Sequence, residues 1–170
     1  MRPLLRRPPK TNSELALAFA SEFSAVSGLW GQPSLWGEGI LCSMDDRNLV
    51  AVAEQAAATS LVQQGPLAGC TVLGECGRVF MGCVMEYANA DLNQDPISNA
   101  LAVGRVSGMH RVRRIGYYSP TGGELPTLPV LTLKRLQEIG TDDLAVIFSP
   151  GNGERIVKSL GQLLAEAGLV

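Results

Sequence analysis

The chain has 170 residues, 46% of them apolar and 18% charged, with a formal net charge of −2 at pH 7. That is enough for one globular domain with a sizeable core plus an arm. The near-neutral balance gives no electrostatic reason to expect general nucleic-acid binding, and no apolar run approaches the roughly 20 residues that a membrane-spanning helix needs.

Residues 1–46 read as an N-terminal arm. It opens with MRPLLRRPPK, where Arg2, Arg6, Arg7 and Lys10 stand together without an acid. That composition fits a mitochondrial presequence, whereas Pro3, Pro8 and Pro9 spoil the amphipathic helix of such a signal and fit a plain disordered arm of a cytoplasmic protein. Both placements stay open. NSELALAFASEFSAV follows, with Asn12 or Ser13 able to cap it and Leu15, Phe19 and Phe23 recurring every four residues, which predicts a short amphipathic helix. GLWGQPSLWGEG cannot continue that helix. Its Trp30 and Trp36, set among glycines and Pro33, predict a loop presenting two aromatics to the chain's own core or to a partner.

From Arg47 onward the elements become regular. RNLVAVAEQAAATSLVQQG predicts a helix with Leu49, Val52, Ala53, Ala56 and Leu61 on one side, ended by Gly65 and Pro66. AGCTVLGECGRVFMGCVME predicts two strands joined tightly at Cys76 and Gly77. PISNALAVGRVSG starts with Pro96 in a first helical turn and stops at Gly108. VRRIGYYS is a strand, a loop PTGGELPTLP leads into a helix from Val130 to Ile139, and LAVIFS is a short apolar strand. The turn at Asn152 and Gly153 joins it to ERIVKSL, and LGQLLAEAG closes the chain as a helix. The order predicts an α/β sandwich with a mixed sheet.

Chemistry-bearing residues are few. Cys42, Cys70, Cys76 and Cys83 form no C-x-x-C pair, and the one histidine, His110, lies too far along the chain to complete a local motif. Buried reduced thiols are the expected state. Arg111, Arg113 and Arg114 crowd the entrance of the third strand; the plain reading is a charged strand edge that discourages pairing, the sharper one a phosphate or RNA-backbone contact. Tyr117 and Tyr118 follow, but strand alternation sends them to opposite faces, so they form no stacking platform.

The stretch AGCTVLGECGRVFMGCVMEYA matches without a gap the hairpin of the small nucleoside-type cytidine deaminases, with Gly69, Gly77, Gly82, Cys83, Glu86 and Ala88 in register, and GNGERIVKSLGQLL matches their C-terminal turn, strand and helix. Over residues 47–166 the chain resembles that family. The resemblance implies a three-layer cytidine deaminase-like sandwich, a mixed five-stranded sheet with helices on both faces, in a domain spanning 47–170. It also implies a site. Enzymes of this type hold a zinc-bound water with one His or Cys and two cysteines, and a glutamate two residues after the first ligand shuttles protons.

By register, the first motif falls on Asp95, Pro96 and Ile97, and the second on Pro129, Val130, Leu131, Thr132 and Leu133. Ile97 can neither take nor give a proton, and Val130 and Leu133 cannot bind a metal, which leaves Asp95 as a lone ligand where three are required. The expectation is a chain without zinc, cofactor or deaminase activity, its old metal pocket closed by aliphatic groups. In the ribose-binding motif Glu86 survives, while Val84 and Tyr87 replace two asparagines.

Two functional readings follow. One is a non-catalytic structural subunit of a larger, mitochondrial complex, docking through its arm with Trp30 and Trp36 as anchors. The other is a nucleoside- or nucleotide-binding pseudoenzyme, or a non-catalytic partner of an active deaminase in a homo- or hetero-oligomer of deaminase-like chains. An RNA contact through Arg111, Arg113 and Arg114 is the weaker alternative.

Overall fold

The computed structural model describes residues 46–170; the readings made for the arm, including Trp30, Trp36 and Cys42, lie outside the described residues. The elements run in the order α1 (Asp46–Ala57), β1 (Gly69–Gly74), β2 (Val79–Cys83), α2 (Pro96–Val106), β3 (Val112–Tyr118), α3 (Val130–Ile139), β4 (Ala145–Ser149), β5 (Ile156–Ser159) and α4 (Leu160–Glu166). A single 3₁₀ turn at Ala90–Leu92 precedes α2.

The strands form one sheet in the order β2-β1-β3-β4-β5, with β3 and β4 parallel and every other neighbouring pair antiparallel. Pleat alternation divides its side chains between two faces. On one face Cys70, Val72, Ile115, Tyr117, Val146 and Phe148 pack in the same core as Ile97 and Ala100 of α2, Leu133 and Leu136 of α3, and Leu160 and Leu164 of α4. On the other, Leu73 and Ile147 meet Leu49 and Val50 of α1. Helices therefore cover both faces, the expected three-layer α/β sandwich.

Two glycines explain how closely those helices sit. A Cβ on Gly82 would overlap the Pro96 carbonyl oxygen and lie 2.6 Å from the Ala100 nitrogen, so the bare backbone of β2 is what lets α2 lie against it. A Cβ on Gly69 would overlap Ala53 O and Ala57 N of α1. Both are positions where any side chain forces a helix away from the sheet.

Three local expectations need correction. Helix α1 stops at Ala57, not at Gly65: the Thr59 hydroxyl donates back to Ala56 O at 2.7 Å, and the Leu61 N–H leaves the helical ladder to donate to Val84 O at 3.1 Å. Leu61, counted on the helix's buried side, is instead half exposed in an isolated bridge to Met85. The arginine run is not at a sheet edge, because β3 is the central strand. Arg111 and Arg113 are exposed at its entrance, and Arg114 Nε reaches Asp46 Oδ1 of α1 at 3.3 Å. The thiols also differ among themselves, Cys70 being buried and Cys76 exposed in the β1–β2 turn.

Candidate functional site

The N-termini of α2 and α3 carry the two segments that the sequence singles out. At the first, Asp95 is the N-cap: its Oδ1 accepts from the Ser98 N–H at 3.0 Å, and Pro96 occupies the first turn, where a missing N–H costs nothing. At the second, Pro129 is the N-cap and offers no side-chain hydrogen bond. Arg135 of α3 ties the two together, its Nη1 donating to Ser98 Oγ at 2.6 Å and lying 4.0 Å from Asp95 Oδ2.

The four positions aligned with the metal motif do not behave alike. Ile97 is completely buried and Leu133 is 3% exposed, both within the main core. Val130, expected to help fill a vacated pocket, is 50% exposed and fills nothing. The reason is helical geometry: Leu133 and Leu136 take the stripe of α3 that faces the sheet, which leaves Val130 and Leu131 turned outward. Asp95 keeps a partly buried carboxylate in the same region, committed to capping and to Arg135.

This donor set does not suit a tetrahedral zinc ion. Asp95 is the single ionisable ligand among the aligned positions, and among the described residues no three His, Cys, Asp or Glu side chains come together as a metal cluster. Cys70 lies nearby, yet its Sγ donates to Pro96 O at 3.1 Å. Burial, and then the charge of Asp95, push its thiol well above the usual range, the opposite of what a metal-binding thiolate requires.

The pocket is nevertheless not closed. A cleft of about 1140 Å³ opens between α2 and α3, with Asp95, Ser98, Asn99, Tyr117, Thr132 and Arg135 among its lining residues. Asn99 Nδ2 is anchored on Cys83 O at 2.9 Å, while the Thr132 hydroxyl is buried without a hydrogen-bond partner. Apolar Leu92 and Leu131, each 58% exposed, stand on its rim, and His110 lies in its wall. Thr132, Ser98, Asn99 and Arg135 were not singled out from the sequence. The signal available was periodicity: Arg135 stands three residues after Thr132 and so shares its side of α3.

Glu86, which the sequence register places in the ribose motif, also lines this cleft, but its carboxylate is occupied. It accepts from the N–H groups of Gln63 at 2.6 Å, Gln64 at 2.8 Å and Gly65 at 3.1 Å, clamping the loop after α1. Those bonds, from Gln64 first and then Gln63 and Gly65, hold its pKa below the ordinary carboxylate value. A carboxyl depressed by folding stabilises the native loop above its unfolded pKa and ceases to do so as pH falls through the lower, folded value. The protection factors of the Gln63, Gln64 and Gly65 amides, measured against their intrinsic exchange rates, are therefore expected to fall at pH below the ordinary carboxylate range, and Glu86→Gln to lower them at neutral pH; equal protection in the variant and the parent would contradict the clamp.

Comparison with known proteins agrees on architecture. No protein-family model matches the sequence, and no curated protein matches it. Among solved structures, cytidine deaminase from Burkholderia pseudomallei superposes with a TM-score of 0.65 at 22% identity, covering 71% of this chain and 96% of that one. Cytidine deaminase from Mycobacterium leprae gives a TM-score of 0.61 at 21% identity, covering 72% and 98%. The enzyme from Bacillus anthracis, at 14% identity, gives 0.51, covering 71% and 86%. The described chain has a cytidine deaminase-like fold.

Proposed function

From a cytidine deaminase-like fold as the premise, we propose that this chain is a catalytically inactive member of that architecture whose role is structural, as an interaction subunit of a larger assembly. One observation carries the reading. At the N-termini of α2 and α3, the positions aligned with the three metal ligands hold Asp95, Val130 and Leu133, and the position of the proton-shuttling glutamate holds the fully buried Ile97. A zinc-activated water needs three ligands and a proton acceptor at the attacking oxygen, and these side chains supply neither. The assembly is proposed to be mitochondrial, on the basic composition of residues 1–10, and docking is assigned to the arm with Trp30 and Trp36.

Elemental analysis of the purified chain is expected to find far less than one zinc per molecule, and its denaturant midpoint is expected not to move in the presence of a chelator. A stoichiometric metal, or a midpoint that falls on chelation, would overturn the zinc-free reading.

A second reading is favoured by the cleft itself. Its volume of about 1140 Å³ is ample for a nucleoside, and Ser98, Asn99 and Arg135 offer polar contacts along a wall that is largely apolar by area. In that reading the chain binds a nucleoside without converting it. Saturable stabilisation by cytidine or uridine that Asn99→Ala weakens would support it, and no change in melting temperature at millimolar nucleoside would leave the scaffold role alone.

A further inference from the structure

Alternation along β3 sends Tyr117 and Tyr118 to opposite faces at the carboxyl end of the sheet's parallel pair, β3 and β4. Tyr117 lines the cleft already described; Tyr118 lines a second, separate cavity of about 280 Å³ on the α1 face. The carboxyl ends of parallel strands are where α/β sheets leave room for ligands, since the chain there departs into loops.

The second cavity is built differently from the cleft. Arg47, from the first turn of α1, and Arg155, from the β4–β5 turn, both line it, and neither forms an ion pair with a described carboxylate. Glu54, two turns further along α1, is the one acid among its lining residues. Two guanidinium groups therefore stand against one carboxylate. Ser149, only 7% exposed at the end of β4, lines the cavity with a hydroxyl that makes no hydrogen bond among the described residues.

The turn that closes the cavity, from Pro150 to Arg155, alternates in the sign of φ, as anion-binding turns do. Gly151 and Gly153 both adopt positive φ, +84° and +87°, alternating with ordinary backbone at Asn152. Such alternation turns successive N–H groups toward a common concavity. The N–H groups of Gly151, Asn152 and Gly153 donate to no described residue, whereas the Glu154 N–H is taken by Asn152 Oδ1 at 2.9 Å.

We propose that the cavity between α1 and the β4–β5 turn binds a phosphate group, either free or carried by a small ester, through Arg47, Arg155, the Ser149 hydroxyl and the glycine turn. The volume admits a phosphate and a few further atoms, and guanidinium forks with hydroxyl and amide donors are the chemistry that recognises phosphate oxygens. Nothing in this site depends on the degenerate deaminase cleft.

Calorimetric titration of the full chain with inorganic phosphate, and separately with glycerol 3-phosphate, at fixed ionic strength tests it. Saturable binding of at least one probe is expected, weakened about tenfold or more by Arg155→Gln and by Arg47→Gln, and unchanged by Lys134→Gln, an exposed cation of α3 outside the cavity. Preference for the ester assigns a phosphorylated small molecule, and binding of inorganic phosphate alone assigns free phosphate. Because both arginines are exposed, their loss leaves the core intact. Gly153→Ala adds an independent arm: its Cβ would meet no atom within 4 Å, so the effect is confined to the positive φ of the turn, and weaker binding is expected. No saturable heat from either probe, binding indifferent to both Arg47 and Arg155, or binding lost instead through Arg135→Gln in the cleft would overturn the proposal.

Discussion

Leu133→Asp is expected to destabilise the fold by about 4 kcal/mol, while Val130→Asp leaves stability within about 0.5 kcal/mol. By register the two residues fall on equivalent places in the metal motif of the resemblance, so a reading from sequence treats them alike. Their surroundings differ. Leu133 is 3% exposed among Leu136, Leu160 and Leu164, where a carboxylate has neither water nor a cation. Val130 is 50% exposed in the first turn of α3, where a negative charge is favoured by the helix dipole and a side-chain cap is lacking. Denaturant titration of both variants separates the cases, and equal loss at the two positions would mean that α3 is rotated from the orientation described here.

Gly82→Ala is the second large effect expected, a loss of about 3 kcal/mol from a single added methyl group. The methyl would collide with backbone, at Pro96 O and Ala100 N, and backbone cannot step aside as a flexible side chain would. α2 must lift from β2, and the N-cap Asp95 and its link to Arg135 move with it. A thermal melt of Gly82→Ala within 2 °C of the parent would show that the two elements are less tightly apposed.

Gly82 and Gly69 also explain why the fold was so readable. Their spacing in the hairpin motif is a steric requirement of helix on sheet, and that requirement is independent of whatever chemistry the site carries. The strand and helix order was legible for the same reason: Pro96, Gly108 and Pro129 punctuate elements wherever the backbone needs them. The end of α1 was not legible, because alanines continue a helical pattern that is terminated by non-local contacts, Leu61 with Val84 and Glu86 with the 63–65 loop.

The site was only half legible. Sequence register brings Asp95, Ile97, Val130 and Leu133 to the starts of α2 and α3, but which of them face the core is a matter of helix rotation that a four-residue motif does not encode. For the same reason the cleft was expected to be filled. Two aliphatic residues turned inward suffice for the core, and the space in front of them stays open beneath Thr132 and Arg135. The phosphate cavity had no motif to announce it, since Arg47, Ser149 and Arg155 meet only once β4 is laid parallel to β3.

The central claim, that a cytidine deaminase-like fold here carries no deaminase chemistry, is tested most directly by incubating the purified full chain with cytidine and added zinc and measuring uridine and ammonia. The account predicts no turnover above the protein-free control, since Ile97 offers no proton acceptor and Asp95 is the lone ligand. Zinc-dependent release of ammonia that Asp95→Ala abolishes would contradict it.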